Sequence, residues 1–340
     1  MLHWQNFPAS ALDGDLAASW DALNADRGDL PFLAAYVMTA ALKEFGGGQE
    51  RLLVGHDAQG MAAMLILQRK RFFEWETFQP SQIPLGAWVA RKELSLLNVV
   101  RSCQRNLSGL CLVFGVTQVD PLLAPREAMD AKDSLTTDYI DTAWVEIEGS
   151  FADYWNARGK NLRQNMKKQR NKLASEGIAT TFHCLTKSED MAEAVARYGA
   201  LESAGWKAQQ GTAIHPDNAQ GRFYTAVLEQ ACAKNGGLIY EYMFNNQPVA
   251  INLCMQRGAM LIILKTTYDE TIKTFSPAFL LLQEALEPLF AEGRIGRMEF
   301  FGKVMEWHTR WTDKRRTIYH LTVFRWDGLK TLRSWSQRVG

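Results

Sequence analysis

Apolar positions along this chain recur at two spacings, helical and alternating, and the two halves run through them in the same order. In the first half Phe32, Ala35, Tyr36, Ala40 and Leu42 predict a helix over Pro31–Phe45, stopped by Gly46-Gly47-Gly48. Two apolar runs, Arg51–Gly55 and Met61–Gln68, flank the turn Asp57-Ala58-Gln59-Gly60 and predict a β-hairpin. A helix over Lys92–Asn106 and a strand over Leu110–Phe114, closing on Gly115, complete the series.

The second half repeats it. A helix over Gly221–Lys234 stops at Asn235-Gly236-Gly237, and a hairpin pairs Leu238–Phe244 with Val249–Met255 across Asn245-Asn246. A strand over Ala259–Lys265, a helix over Ser276–Glu292 and a strand over Arg297–Phe301, closing on Gly302, follow. The matching order, with Phe114-Gly115 answering Phe301-Gly302, predicts an internal structural repeat of α+β (α/β) character. Pro121, Pro125 and mixed charges mark Asp120–Asp133 as a connector. Asp138–Glu148 reads as a strand opening the second module, and Ile318–Phe324 as a last strand. The expected division is 1–120, a connector and first strand over 121–148, and 149–340.

Composition narrows the function classes. A chain of 340 residues exceeds one ordinary core, and a net charge of +1 leaves any polyanion preference to a local patch. The start, Met1-Leu2-His3-Trp4-Gln5, lacks the pattern of a signal peptide, and no run has the ~18–20 apolar residues of a membrane span, so a cytoplasmic protein is expected. Cysteines 103, 111, 184, 232 and 254 form no C-x-x-C pair and the six histidines are dispersed, so neither a disulfide framework nor a metal site is expected.

Four constellations can carry chemistry. Arg158–Lys172 holds seven cations and no acid; Arg163, Lys167 and Arg170 share one helical face, while Leu162, Met166 and Leu173 form an apolar stripe. That face is either a solvated surface or an anion-binding ridge. Lys265-Thr266-Thr267-Tyr268-Asp269 ends an apolar strand, where ligands commonly sit, although Lys265 can equally snorkel to solvent. Ser276-Pro277-Ala278 opens a helix, with Ser276 as cap and Pro277 in the first position, leaving amides for phosphate. Glu299 alternates with Met298 and Phe300 in an apolar strand, so its carboxylate is a general base in a cleft or a partner in a structural salt bridge. No G-x-S-x-G elbow, Walker A loop or G-x-G-x-x-G fingerprint is present.

Residues from about Arg163 to Trp311 resemble the FemAB-like branch of the GNAT superfamily, including CelD-like proteins linked to cellulose and exopolysaccharide synthesis. The resemblance rests on the basic helix ending in Glu176-Gly177, then Gly205-Trp206-Lys207, Lys265-Thr266-Thr267-Tyr268-Asp269-Glu270, Ser276-Pro277-Ala278 with Leu280-Leu281, and Phe301-Gly302 with Trp311. Leu30-Pro31-Phe32-Leu33 with its helix and hairpin looks like the first module of the same family.

The resemblance implies two tandem GNAT-like modules with mixed central sheets flanked by helices, and transfer of an acyl group to an amine or sugar-amine acceptor. The donor it implies is acyl-CoA (acetyl-CoA or longer) or an acyl carrier protein. By position, Glu299 or Asp269 would be the base and Tyr268 the proton donor to the leaving thiolate. Lys265, Arg163, Ser276, Pro277 and Ala278 would hold donor phosphates, and Trp206, Lys207 and Trp311 would line the acceptor side. Two features depart from the family: the phosphate-binding turn Lys273–Ala278 lacks glycine, and Pro277 removes an amide donor. Two rivals follow, aminoacyl transfer from tRNA as in Fem ligases, and a catalytically silent module in an envelope or polysaccharide complex.

Overall fold

The computed structural model describes residues 2–107, 110–126, 131–204 and 213–331. The chain divides into two compact units, one of Met1–Asp141 with Arg316–Gly340 and one of Thr142–Arg315. The first unit begins with β1 (His3–Pro8), α1 (Gly14–Arg27), α2 (Ala35–Phe45) and the hairpin β2 (Arg51–Asp57) and β3 (Gly60–Arg71). It continues through β4 (Glu74–Thr77), β5 (Trp88–Ala90), α3 (Leu96–Asn106) and β6 (Val113–Val119). Its sheet runs β1-β2-β3-β4-β6, with β5 on β3; among the described residues of these strands the β4–β6 pairing is parallel and the others are antiparallel.

The second unit takes the end of β7 (Ser134–Glu146), then α4 (Phe151–Asn156), α5 (Lys160–Ser175), β8 (Thr180–Leu185), α6 (Ser188–Ser203) and α7 (Ala219–Ala233). It continues with β9 (Gly237–Phe244), β10 (Gln247–Arg257), β11 (Met260–Tyr268), α8 (Pro277–Glu292), β12 (Arg297–Glu299) and α9 (Glu306–Thr309). Its sheet runs β7-β12-β11-β10-β9-β8, with β11–β12 the parallel pair. Asn245 and Asn246 turn the β9–β10 hairpin at φ of 48° and 63°, a left-handed geometry that asparagine tolerates. One face of β9–β11, through Leu238, Tyr240, Tyr242, Phe244, Cys254 and Ile263, packs on Leu162 and Met166 of α5 and on Leu282, Leu286 and Leu289 of α8. With α6 and α7 also packed on β9 and β10, every residue of β9 is buried.

The predicted repeat is present: strand, two helices, hairpin, strand, helix and parallel strand recur as β1-α1-α2-β2-β3-β4-α3-β6 and β8-α6-α7-β9-β10-β11-α8-β12. The predicted strand at Leu110 starts instead at Val113, where Leu112 and Val113 N–H both donate to Phe73 O and begin the ladder. Phe114-Gly115 therefore lie inside β6, whereas Phe301-Gly302 lie beyond β12, so the two dipeptides do not correspond. Helix α1 escapes the apolar pattern because it buries only Trp20, Leu23 and Asn24, and β8 escapes it because none of its residues is fully buried.

The chain after α9 also departs from expectation. Its last strand, β13 (Arg315–Phe324), pairs with β6 of the first unit from Tyr319↔Val119 to Phe324↔Val113, rather than staying with residues 149–315. Arg316 fastens it: Nε donates to both Asp120 oxygens at 2.8 and 2.9 Å and Nη2 adds a bond of 2.6 Å, with the side chains 6% and 2% exposed. Tyr319 OH donates to Ala124 O at 2.7 Å on the same segment. Removing one member of a buried pair strands the other charge, at about 3–5 kcal/mol. Asp120→Ala should therefore lower the urea-unfolding free energy of the first unit by about that amount, and Asp120→Leu with Arg316→Met together by clearly less than either alone.

Candidate active site

Strands β11 and β12 share three rungs, Met260↔Arg297, Leu261↔Met298 and Ile262↔Glu299, and the ladder stops there. Just beyond, the β10–β11 register shifts between Leu253↔Lys265 and Cys254↔Ile263, leaving Leu264 as a bulge. Just past the other strand, Phe301 adopts a φ of 49°. The diverging chains open a cavity of about 540 Å³ between Ile263–Thr266 on one side and Phe300 and Gly302 on the other. Its remaining walls include Asn252, Tyr268, Lys273, the start of α8, Trp307, His308 and Trp311.

Beyond the corresponding rungs of the first unit, Glu74↔Val113 to Glu76↔Gly115, the gap is filled. Thr77 Oγ1 and Thr117 Oγ1 are hydrogen-bonded at 2.8 Å, Thr117 N–H donates to Thr77 Oγ1 at 3.0 Å, and Gly86 N–H donates to Thr117 O at 3.0 Å. Gly86 is squeezed between them; a Cβ there would meet Thr77 Oγ1 at 2.4 Å and Thr117 O at 2.6 Å. One parallel pair is sealed and the other is open.

Several residues singled out from sequence meet in the open cavity: Lys265, Tyr268, Ser276, Pro277, Ala278 and Trp311. Half-buried Lys265 holds its Nζ 5.9 Å from the Tyr224 ring centroid. Ser276 precedes α8 in the left-handed region, at φ 54°, and makes no side-chain cap bond; its Oγ instead accepts from Asn165 Nδ2 at 3.4 Å. Pro277 sits in the first helical turn, and the Phe279 and Leu280 N–H groups donate to Ser276 O at 3.0 and 3.1 Å. Of the first-turn amides, this leaves Ala278 for a ligand. Exposed Lys273 adds a cation.

Other predicted residues lie elsewhere. Glu299 is fully buried in β12, 3.4 Å from Arg297 Nη1, and does not line the cavity; the Arg297 guanidinium lies over the Trp144 ring. That is the salt-bridge arrangement weighed against a base in the cleft. Asp269 caps the short 3₁₀ turn Glu270–Phe275, its Oδ1 accepting from Thr271 N–H at 2.9 Å and from Thr271 Oγ1 at 2.6 Å. Arg163 donates from Nε to Arg158 O at 3.1 Å, and the α5 ridge is partly spent, since Arg170 pairs with Glu284 at 2.8 Å. Trp206 and Lys207 lie outside the described residues.

Sequence reading missed His308 and Asn252, and it named Lys273, Phe300 and Trp307 only within their segments, without a role in the site. His308 stacks on Trp307 with ring centroids 3.5 Å apart and also lines a smaller cavity of about 180 Å³. Met305 N–H donates to His308 Nδ1 at 2.9 Å, so the neutral ring carries its proton on Nε2. Burial pushes its pKa down to about 4, leaving a neutral donor at pH 7. A lone histidine on a short helix gives no periodic signal. Burial likewise raises all five thiols, Cys111 and Cys232 to about 11, so none supplies a thiolate near neutrality. No group of three or more metal-binding side chains occurs among the described residues, and no helix there is long and apolar enough to cross a membrane.

Residues 160–309 match the family model described as an acetyltransferase (GNAT) domain. Among solved structures, the C-terminal domain of a putative lysylphosphatidylglycerol synthetase from Agrobacterium fabrum shares 12% identity at a TM-score of 0.58, covering 95% of both chains. FemX shares 9% identity at 0.58, covering 96% of this chain and 99% of its own. A conserved protein of unknown function from Bacteroides thetaiotaomicron shares 10% identity at 0.60, covering 95% and 100%. No curated protein matches the sequence.

The His308 shift has a stability consequence. Its folded pKa of about 4 lies below the free value of 6.5, so the unfolded chain binds the extra proton as pH falls through that interval. Stability is full above about 6.5 and declines by up to about 3 kcal/mol toward pH 4. His308→Asn, which retains an acceptor for Met305 N–H, should flatten the melting temperature between those pH values relative to wild type.

Proposed function

We propose that this chain, which has the FemAB-like fold of the GNAT superfamily, transfers an acyl group from a thioester donor to an amine, with the donor seated in the cavity of the second unit. One observation carries the reading: β11 and β12 part after Ile262↔Glu299 and open onto the cavity, while β4 and β6 are bridged by Thr77, Thr117 and Gly86. A gap between parallel strands exposes the backbone edge of β11, and amides on that edge are suited to an oxyanion.

An acyl chain and the thiol-bearing arm of its carrier suit walls made by Ile263, Leu264, Phe279, Leu282 and Phe300. Lys273 and Lys265 would meet donor phosphates, helped by the Ala278 amide; the rest of the first turn is spent, so the lysines carry most of the anion binding. His308 would donate from Nε2 to the thioester carbonyl as a neutral electrophile, and Tyr268 would protonate the departing thiolate. Among the described residues, the cavity walls include no carboxylate. Asp269, next to Tyr268 with Oδ1 held by Thr271, would receive the acceptor's proton through water. Acyl-CoA and an acyl carrier protein are the two donor forms this arrangement serves; a link to envelope or exopolysaccharide metabolism would then concern the acceptor.

Aminoacyl transfer from tRNA is the second reading. It is supported by exposed Lys160, Lys167 and Lys168 on α5 and by the glycine-free start of α8, and FemX shares the fold. The two readings separate in one experiment. With a thioester donor, Lys273→Ala should raise KM about tenfold with little change in kcat, and replacing the three α5 lysines by alanine should have little effect. Weakening by the triple change, with activity falling steeply as salt rises, would favour tRNA instead. Absence of thiol release from any acyl-CoA or acyl-carrier donor would exclude the leading reading.

A further inference from the structure

Two buried side-chain polar atoms among the described residues lining the cavity have no hydrogen-bond partner. Trp311 Nε1 is a buried donor and Asn252 Oδ1 a buried acceptor; the residues are 0% and 3% exposed. The Trp311 side chain and the Asn252 backbone are both held in place. The Trp311 ring lies between Trp155 and Phe279, at centroid distances of 5.9 and 5.7 Å, and its carbonyl accepts from Tyr154 OH at 2.8 Å and Arg158 Nη1 at 2.6 Å. Asn252 sits mid-strand in β10, paired with Tyr240 of β9 and Thr266 of β11. Its amide can turn about its last torsion and present either the oxygen or the nitrogen, so a ligand finds an acceptor or a donor there.

Such groups are seldom left unpaired inside a protein, because each then carries its full desolvation penalty. Around them the cavity is aromatic and aliphatic, with Phe279, Phe300 and Trp307 in its walls, so fixed polar groups there are well placed to set ligand specificity. From this pair we infer that the transferred acyl group carries a hydroxyl or amide function, which bonds to Asn252 and Trp311, and is not a plain alkanoyl chain. The inference rests on the thioester-donor reading of the same cavity and names its substrate class. A plain alkyl chain leaves both protein groups orphaned, and a site built for hydrogen bonds discriminates strongly against the analogue that lacks them.

Calorimetric titration of the full chain with matched CoA and pantetheine thioesters tests it. The pairs differ only in the polar group: lactoyl against isobutyryl, β-hydroxybutyryl against isovaleryl, and N-acetylglycyl against levulinyl. Wild type should bind the polar member of at least one pair roughly tenfold or more tighter, and Asn252→Leu or Trp311→Phe should bring that ratio close to one. Each variant's melting temperature accompanies its ratio, and the wild-type ratios need no variant. Equal binding of both members in every pair would overturn the inference and leave thioester transfer standing. A preference that survives both variants would overturn the assignment to these residues. Binding of no thioester of either kind would remove the donor reading itself, and the inference with it.

Discussion

The second unit depends on how two parallel strands stop touching. Three rungs hold β11 to β12, and the bulge at Leu264 with the left-handed Phe301 carries the chains apart. Every rung given up exposes backbone groups that a sheet would otherwise pair, a cost a fold bears only where a partner arrives. In the first unit the same interval is closed by two threonine hydroxyls and a glycine-sized gap. Two modules of like topology thus put the same backbone to opposite uses, one as a seal and one as an opening.

Around that opening, preorganisation is the common theme. Trp311 is clamped by rings and by two donors on its carbonyl, His308 is fixed in one tautomer by the Met305 amide, and α8 is anchored by the α5 contacts Asn165–Ser276 and Arg170–Glu284. Side chains locked before a ligand arrives lose little freedom on binding. The basic helix foreseen as an anion ridge therefore serves partly as a brace.

Much of the fold was legible because burial on two faces writes continuous apolar runs: β3, β9, β10 and α8 all fall where the pattern put them. Elements that bury little, α1 and β8, left no such trace. The cavity was half legible. Lys265, Ser276 and Pro277 could be placed because they mark a strand end and a helix start, which local sequence encodes. Glu299 could not be assigned a side, because alternation in a three-residue strand says that a carboxylate is buried without saying which way it faces or that Arg297 meets it. His308 and Asn252 were invisible for another reason: their roles come from neighbours distant in sequence, such as Tyr240 and Thr266 beside Asn252.

The return of β13 to β6 governs when the chain can finish folding. Asp120 and Arg316 are 196 residues apart, so the sheet of the first unit stays one strand short until the whole second unit has been synthesised. The inserted unit is one continuous stretch of chain, Thr142–Arg315, whereas the enclosing one waits with β6 as an open edge. On the ribosome the closing strand of the outer sheet is therefore the last to emerge. A new chain end cut within the insert would leave the outer sheet's closing strand on a separate piece, and a circular permutation bringing β13 beside β6 would let the first unit finish early.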